Sequence, residues 1–306
     1  MNYLPKLFSF KQFRNSPIKL SMNFLVKNEA DIIEDNIRFH ATQGVDCFVV
    51  MDNGSTDGTS EIVDKLSNEF EIVKIDRPVQ DYQQSNWKTE MAITSREQLG
   101  ADWSIANDAD EFWVSDSENL KEEISSWGSV LECPRINMIP NSSFFDESFH
   151  YLDSPFAVNR PIMNRGADLI NDDNISIMLG NIHGKVMVNN YGLVRVKGGN
   201  HRAWHIFSPI NKRKSTSVRV YHYPIRNKDG FVANIENRAK LLKSGVTKMG
   251  DHYRRWVRLY ESGKIDEELN RLILSKDDAR VLKKFGVVKS DSEIGLYIRN
   301  AIENSI

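Results

Sequence analysis

The segment Asn107-Asp108-Ala109-Asp110-Glu111-Phe112-Trp113 holds the densest cluster of reactive side chains in the chain. Aspartates at i and i+2 where a strand ends point to the same side, and two carboxylates there repel unless a cation joins them. Hard oxygen ligands suit Mg2+ or Mn2+, which also grips a diphosphate and offsets charge building on a leaving phosphate. A bare Asp-x-Asp triplet arises often by chance. Its position after the apolar run Trp103–Asn107 and before Phe112-Trp113 sharpens it. Two more polar clusters follow apolar runs: Lys27-Asn28-Glu29 after Met22–Val26, and Asp52–Thr59 after Asp46–Met51. Ligands of open parallel sheets bind outside the carboxyl ends of the strands. Each cluster alone also reads as a helix start, since Asn, Asp, Ser and Thr cap helices. Three at successive strand ends are harder to assign to capping.

The elements that must position these clusters alternate. Helices are expected over Glu29–His40, Ser60–Phe70 and Ser85–Leu99, from apolar spacings such as Ile33, Ile37, Ala41 and Ile62, Leu66, Phe70. Strands fall between them, with Glu71–Ile75 the third. Strands separated by helices imply right-handed parallel crossovers with helices covering the sheet. Beyond residue 129 the pattern turns irregular, with strand-like runs at Val130–Met138, Lys185–Asn189, Leu193–Lys197 and Ser217–His222. After Pro224 it is helical again. Phe231, Ile235, Ala239 and Leu242 form one stripe, and Tyr253, Trp256, Val257 and Tyr260 a second, both of core type.

Absent motifs narrow the chemistry. The turn after the first strand has no glycines, against a dinucleotide-binding dehydrogenase, and no GxxxxGK[ST] is present, which excludes a Walker-type NTPase. Neither HExxH nor GxSxG occurs. Cys47 and Cys133 are too few for a disulfide framework or a four-thiolate zinc site and read as buried thiols in a reducing compartment. No apolar run approaches the ~20 residues of a membrane span. Lys6, Lys11 and Arg14 break up the first twenty residues, so no secretory signal is read there; Leu4, Leu7, Phe8 and Phe10 among them could form an interfacial segment.

The balance of 40 Lys+Arg against 42 Asp+Glu hides an asymmetry. Residues 22–130 carry 23 acids and 8 bases, net −15, whereas residues 226–286 carry 15 bases and 9 acids, net +6. An acidic half that binds an anionic ligand needs a divalent cation as bridge. The basic tail fits an anionic acceptor, an anionic membrane surface or solvated helix faces.

The blocks FLVKNEADIIEDNIRFHATQGVD, VVMDNGSTDGTSEI and DWSIANDADEFW together resemble the nucleotide-binding half of family-2-like glycosyltransferases of the GT-A fold, in particular the subgroup whose Asp-x-Asp extends to DADEF. GGNHR (Gly198–Arg202) and YHYPIRNKDGF (Tyr221–Phe231) also resemble that subgroup, so the similarity spans roughly residues 20–245. It implies an α/β fold: a Rossmann-like, mostly parallel sheet with helices on both faces, plus a helical C-terminal region. It implies an N-terminal extension over 1–20 and a transferase domain over 21–225, with a nucleotide-binding half (21–115) and an acceptor half (116–225). Residues 226–306 form the helical remainder.

Carried over residue by residue, the resemblance places Glu29 near the nucleoside and Asp52 on the uracil or ribose. Asp57 steadies the loop or caps a helix. Lys88 faces the donor or lies on the surface. Asp110 becomes the direct ligand of Mn2+ or Mg2+, and Asp108 reaches the ribose or the metal shell. His222 completes that shell or touches the diphosphate. The Glu-Asp pair that supplies a general base in inverting relatives is missing here. His201, behind Gly198-Gly199, is the preferred base, with Asp168, Asp172 and Asp173 as alternatives. The activity implied is inverting transfer from a UDP-sugar to a saccharide or lipid-linked saccharide. Such an enzyme would build surface glycan in the cytoplasm or at the inner membrane face, in peripheral contact with anionic lipid and without nucleic acid. The rivals are a non-catalytic glycan- or nucleotide-binding protein on the same fold and a sugar nucleotidyltransferase. The second fits poorly, because KNEAD lacks a glycine- and basic-rich loop.

Overall fold

The computed structural model describes residues 6–8, 16–78, 83–163, 166–246 and 249–305. The interfacial segment read around Leu4 and Phe10 lies outside the described residues, apart from Lys6, Leu7 and Phe8. The chain forms two compact units. The first comprises Met1–Arg135, His183–Tyr221 and Ala301–Ile306, and the second Ile136–Ile182 and His222–Asn300.

The first unit is built on β1 (Leu20–Val26), α1 (Ile33–Thr42), β2 (Cys47–Asp52), α2 (Thr59–Leu66), β3 (Ile72–Asp76), α3 (Gln84–Leu99), β4 (Trp103–Asn107), β5 (Glu111–Ser115) and β6 (Val130–Cys133). The chain leaves for β7 (Arg135–Ile139) and β8 (Phe156–Val158). It returns with β9 (Lys185–Asn189), β10 (Leu193–Val196), β11 (Ala203–His205), α4 (Ser208–Asn211), β12 (Lys212–Lys214) and β13 (Val218–His222). A seven-stranded sheet runs β12-β6-β9-β4-β1-β2-β3. Four of its six pairings are parallel, and only β9 runs antiparallel to its neighbours β4 and β6. The fold is therefore α/β on a mostly parallel sheet, as expected.

All six residues of β2 are buried, which is what a strand covered on both faces requires. Its side chains alternate between two cores. Phe48 and Val50 pack with Ile33 and Ile37 of α1 and Val63 and Leu66 of α2. Cys47, Val49 and Met51 pack with Trp87 and Met91 of α3. Helices thus cover both faces. Both cysteines are free and buried, and burial pushes the Cys47 thiol up to about 12, which leaves it an inert core side chain.

Two differences from the sequence expectation have local causes. The first helix begins at Ile33, not Glu29, because the backbone N–H groups of Asn28, Glu29 and Ala30 donate to side chains of the Ser55–Thr59 loop. The run Val130–Met138 is two strands, broken at Pro134, which has no N–H for a ladder.

In the second unit β8 lies between β7 and β14 (Val288–Ser290), antiparallel to both. Helices α5 (Lys228–Lys243), α6 (Asp251–Glu261), α7 (Ile265–Leu272) and α8 (Lys276–Lys284) follow β13, and α9 (Ser292–Glu303) ends the chain. The two expected apolar stripes meet in one core: Phe231 packs on Trp256 with ring centroids 5.0 Å apart, beside Ile235, Val257 and Leu269. Among the described residues no helix is long and apolar enough to cross a membrane.

Candidate active site

Strands β4, β1 and β2 are adjacent and parallel, so their carboxyl ends share one edge of the sheet. The three polar clusters singled out above sit on that edge. Those after β1 and β2 are tied together. Asn28 holds a left-handed φ of 58°, which turns its side-chain oxygen onto the Thr56 N–H at 2.9 Å while its own N–H donates to Ser55 Oγ at 3.0 Å. Asp57 accepts from Ala30 N–H at 3.0 Å and from the N–H and hydroxyl of Thr59. Desolvation raises the Asp57 pKa, but these donors more than offset it and hold the carboxyl below its ordinary range. Glu29 donates its own N–H to Thr59 Oγ1 at 2.9 Å. Asp52 is buried at the end of β2, where Oδ1 accepts from the N–H and hydroxyl of Ser55 at 2.8 and 2.7 Å.

The third cluster is held by charges the sequence reading did not connect. Asp108 accepts from two buried lysines: Lys88 of α3 at 2.9 Å on Oδ1, and Lys185, first residue of β9, at 2.5 Å on Oδ2. Lys88 is 1% exposed, so it is not a surface lysine. Desolvation would raise the Asp108 pKa, but Lys185 and Lys88 hold it well below the usual carboxylate range. Lys185 also reaches Glu111 Oε1 at 3.0 Å, and Arg135 donates to the same oxygen at 2.8 Å. Glu111 is fully buried, and among the described residues its Oε2 has no hydrogen-bond partner. A buried carboxylate oxygen without a donor is costly and is the kind of atom a cation satisfies.

The backbone between Asp108 and Glu111 is clamped from α1. Asn36 donates through Nδ2 to Ala109 O at 2.7 Å and Glu111 O at 3.0 Å. Asn107 adds a bond to Glu111 O at 2.9 Å and accepts from Trp113 Nε1 at 2.7 Å. His40 Nε2 accepts the Trp113 N–H at 2.9 Å, so its Nδ1 carries the hydrogen and donates to Asn36 O at 2.7 Å. Burial pushes the His40 pKa down to about 3, and the ring stays neutral. Neither Asn36 nor His40 was read as a site residue. Their signal was there: two polar side chains at i, i+4 on a helix whose neighbours Ile33 and Ile37 face the core.

His201 follows the turn Gly198–Asn200. Its Nδ1 pairs with Gly184 O at 2.8 Å, which leaves Nε2 as the lone-pair atom of the neutral ring. Gly199 has φ 72°, and a Cβ there would stand 2.8 Å from the His201 ring. Burial, then the positive charges of Lys185 and Arg135, push the His201 pKa down to about 4.

The other predicted residues lie in the second unit. His222 ends β13, with Nδ1 2.7 Å from Asn137 Oδ1. Asp168 and Asp172 close local turns onto Ile170, Asn171 and Asn174, and Asp173 pairs with Arg258.

No protein-family model matches the chain, and no curated protein matches it. Among solved structures the chain is similar to S. aureus TarS 1-349 in complex with UDP-GlcNAc, at 13% identity over 83% of this chain and 72% of that one, with a TM-score of 0.40. It is also similar to glucosyl-3-phosphoglycerate synthase from Mycobacterium tuberculosis in complex with Mn2+, uridine diphosphate and phosphoglyceric acid. There the identity is 15%, over 78% of this chain and 83% of that one, with a TM-score of 0.34.

Proposed function

We propose that the chain is a glycosyltransferase of the GT-A type that moves a sugar from a UDP-sugar to an acceptor hydroxyl with inversion, in surface glycan synthesis. The observation that carries this reading is the shared sheet edge where Glu29, Asp52 and the Asp108–Glu111 turn follow three adjacent parallel strands. The sequence blocks on that edge are those that resemble family-2-like transferases. Asp52 binds the nucleoside, and Glu29 lies beside it. Asp57 keeps the loop in shape.

A divalent cation, Mn2+ or Mg2+, fits the acidic turn because Glu111 Oε2 is buried without a donor beside Asp110. Asp110 and Glu111 would hold it, with Asp108, whose two oxygens already accept from lysines, and His222 assigned to the same shell by the resemblance. When bound, it supplies positive charge for the diphosphate leaving group. The protein's own residues do the rest. Lys88 and Lys185 fix the Asp108 carboxylate. His201 Nε2 takes the proton of the acceptor hydroxyl as its oxygen bonds to the anomeric carbon. The bond from that carbon to the β-phosphate oxygen breaks, and the nucleoside diphosphate leaves.

One observation favours a second reading. Two buried ammonium groups already compensate Asp108, so donor binding could rest on lysines without a divalent ion. Nucleotide release should be measured with Mn2+ across UDP-, GDP- and dTDP-sugars, with and without EDTA, for the wild type and Asp110→Asn. The expected result is release from a UDP-sugar that falls about 10²-fold or more in EDTA and in the variant, since the metal contributes several kcal/mol. Full activity in EDTA overturns the cation role. UDP binding without turnover of any donor overturns the enzyme reading in favour of a nucleotide-binding protein.

A further inference from the structure

Residues 174–228 contain ten Lys and Arg and not one Asp or Glu, within a chain that is acidic overall. The middle of this stretch, in the first unit, combines that charge with exposed apolar side chains. In the β10–β11 hairpin Leu193, Val196 and His205 turn inward, while Val194 and Trp204 are 45% and 55% exposed. Ile206, two residues past Trp204, is 45% exposed, and Ile210 of α4 is 83% exposed. Phe8 continues the apolar surface. Its ring lies 5.8 Å from that of Phe207, and Lys6 O accepts the N–H of Gly192, the residue before β10.

The charges here are mostly uncompensated. Lys197 Nζ lies 5.1 Å from the centre of the Trp204 ring. Arg195 donates only to the neutral Ser85 and Asn86 side chains, and Arg213 only to the Glu123 carbonyl. Among the described residues, neither these three nor Lys214 has a carboxylate partner. Of the acids nearby, Glu132 pairs with Lys212 and Glu97 with Lys6 and Arg96, while the Glu123 carboxylate accepts from Thr216 and Ser217.

We infer that the β10–β11 hairpin and the following turn form a docking surface for an anionic phospholipid bilayer, with Trp204, Ile206 and Ile210 entering the headgroup layer and Lys197, Arg213 and Lys214 facing lipid phosphates. Charge complementarity selects the partner. A single-stranded polyanion can stack a nucleobase on Trp204 beside the cationic side chains but makes no use of the exposed aliphatic Ile206 and Ile210, whereas an interfacial site uses all of them. The surface differs from the basic C-terminal helices, where Arg255 and Arg258 are internally paired with Glu268 and Asp173. Locating the contact here goes beyond the lipid contact that the resemblance implies, and the residues that carry it are not those of the transferase site.

The test is co-sedimentation of the full chain with vesicles of equal parts phosphatidylglycerol and phosphatidylcholine, against vesicles of phosphatidylcholine alone. The wild type should partition onto the anionic vesicles only. Trp204→Ala with Ile210→Ser should lower that partition roughly tenfold or more, because two apolar anchors are lost. Lys197→Glu with Lys214→Glu should lower it by a similar factor and flatten its dependence on salt, because part of the screened attraction is gone. Trp204, Ile210 and Lys214 are exposed and Lys197 is half-buried, and an unchanged circular dichroism spectrum checks that the fold is kept. Brominated lipid should quench wild-type tryptophan emission and leave the Trp204→Ala emission unquenched. Failure to bind anionic vesicles, equal binding to both vesicle types, or unchanged partition of the Trp204/Ile210 pair each overturns the inference.

Discussion

Single side chains divide by whether they can change protonation. His201 is held neutral with Nε2 as its lone-pair atom, yet burial and Lys185 have made it a weak base with a pKa near 4. If it deprotonates the acceptor, the acid limb of the kcat/KM profile should sit near pH 4, not near the ordinary 6.5. Truncation to Ala should cost about 10²–10⁴-fold in transfer while sparing UDP affinity. A limb near 6.5, or lost UDP affinity in calorimetry, removes His201 from that role. Lys185 presents the opposite case. Burial lowers its pKa, but Asp108 and Glu111 more than reverse this and keep it charged. Lys185→Met leaves Asp108 and Glu111 short of a cation in a buried site, so a loss of about 3–5 kcal/mol in urea unfolding is expected. A change under 1 kcal/mol would mean that Lys88 and Arg135 suffice. The sequence marked Asp108 and Asp110 because strand ends and charge density are local properties, and Lys88 only through the resemblance. It could not pair Lys185 with Asp108, because 77 residues separate them and no periodicity links a β9 lysine to a β4 turn.

Among the elements, α1 carries more than its apolar stripe. Asn36 and His40 use its core face to fix the Asp108–Glu111 turn, which makes a packing helix into the rear wall of the site. Asn36→Ala should cost about 1–3 kcal/mol, because two buried carbonyls lose their donor. It should also weaken Mn2+–UDP binding by about 10–100-fold, as removal of an orienting partner does. Asn189→Ala is the matched control. That side chain bonds the carbonyls of Ser126 and Gly128, so stability should fall and nucleotide affinity should not. Equal affinity losses in both variants would reduce the Asn36 effect to general destabilisation. The alternating strands and helices were legible because β1, β2 and β4 are short, mostly apolar runs and α1 and α2 have helical spacing. The short strands β8, β11, β12 and β14, of three residues each, were not read. Their pattern is too brief to show a period, and pairing with distant partners defines them.

At the scale of the molecule, pH should act on the first unit through three histidines. Burial depresses His40 to about 3 and His201 and His205 to about 4, from an ordinary 6.5. Below pH 6.5 the unfolded chain takes up protons that the folded chain refuses, so stability is full above 6.5 and is lost as pH falls toward those values. His40 alone should remove about 2 kcal/mol between pH 7 and pH 5, with smaller shares from the two rings that solvent reaches more easily. Urea midpoints at the two pH values measure this, and identical midpoints would contradict it. The strand order has a consequence of another kind, in time. Strand β9 lies between β4 and β6, but the ribosome makes it after an excursion of about fifty residues into the second unit. Until it emerges, β4 and β6 each present an unpaired edge, and a nascent chain halted near residue 182 carries both. Edges of that kind template pairing between chains. Stalled or truncated products should therefore aggregate, and the first unit should gain resistance to protease during synthesis only once residues 185–189 have cleared the exit tunnel.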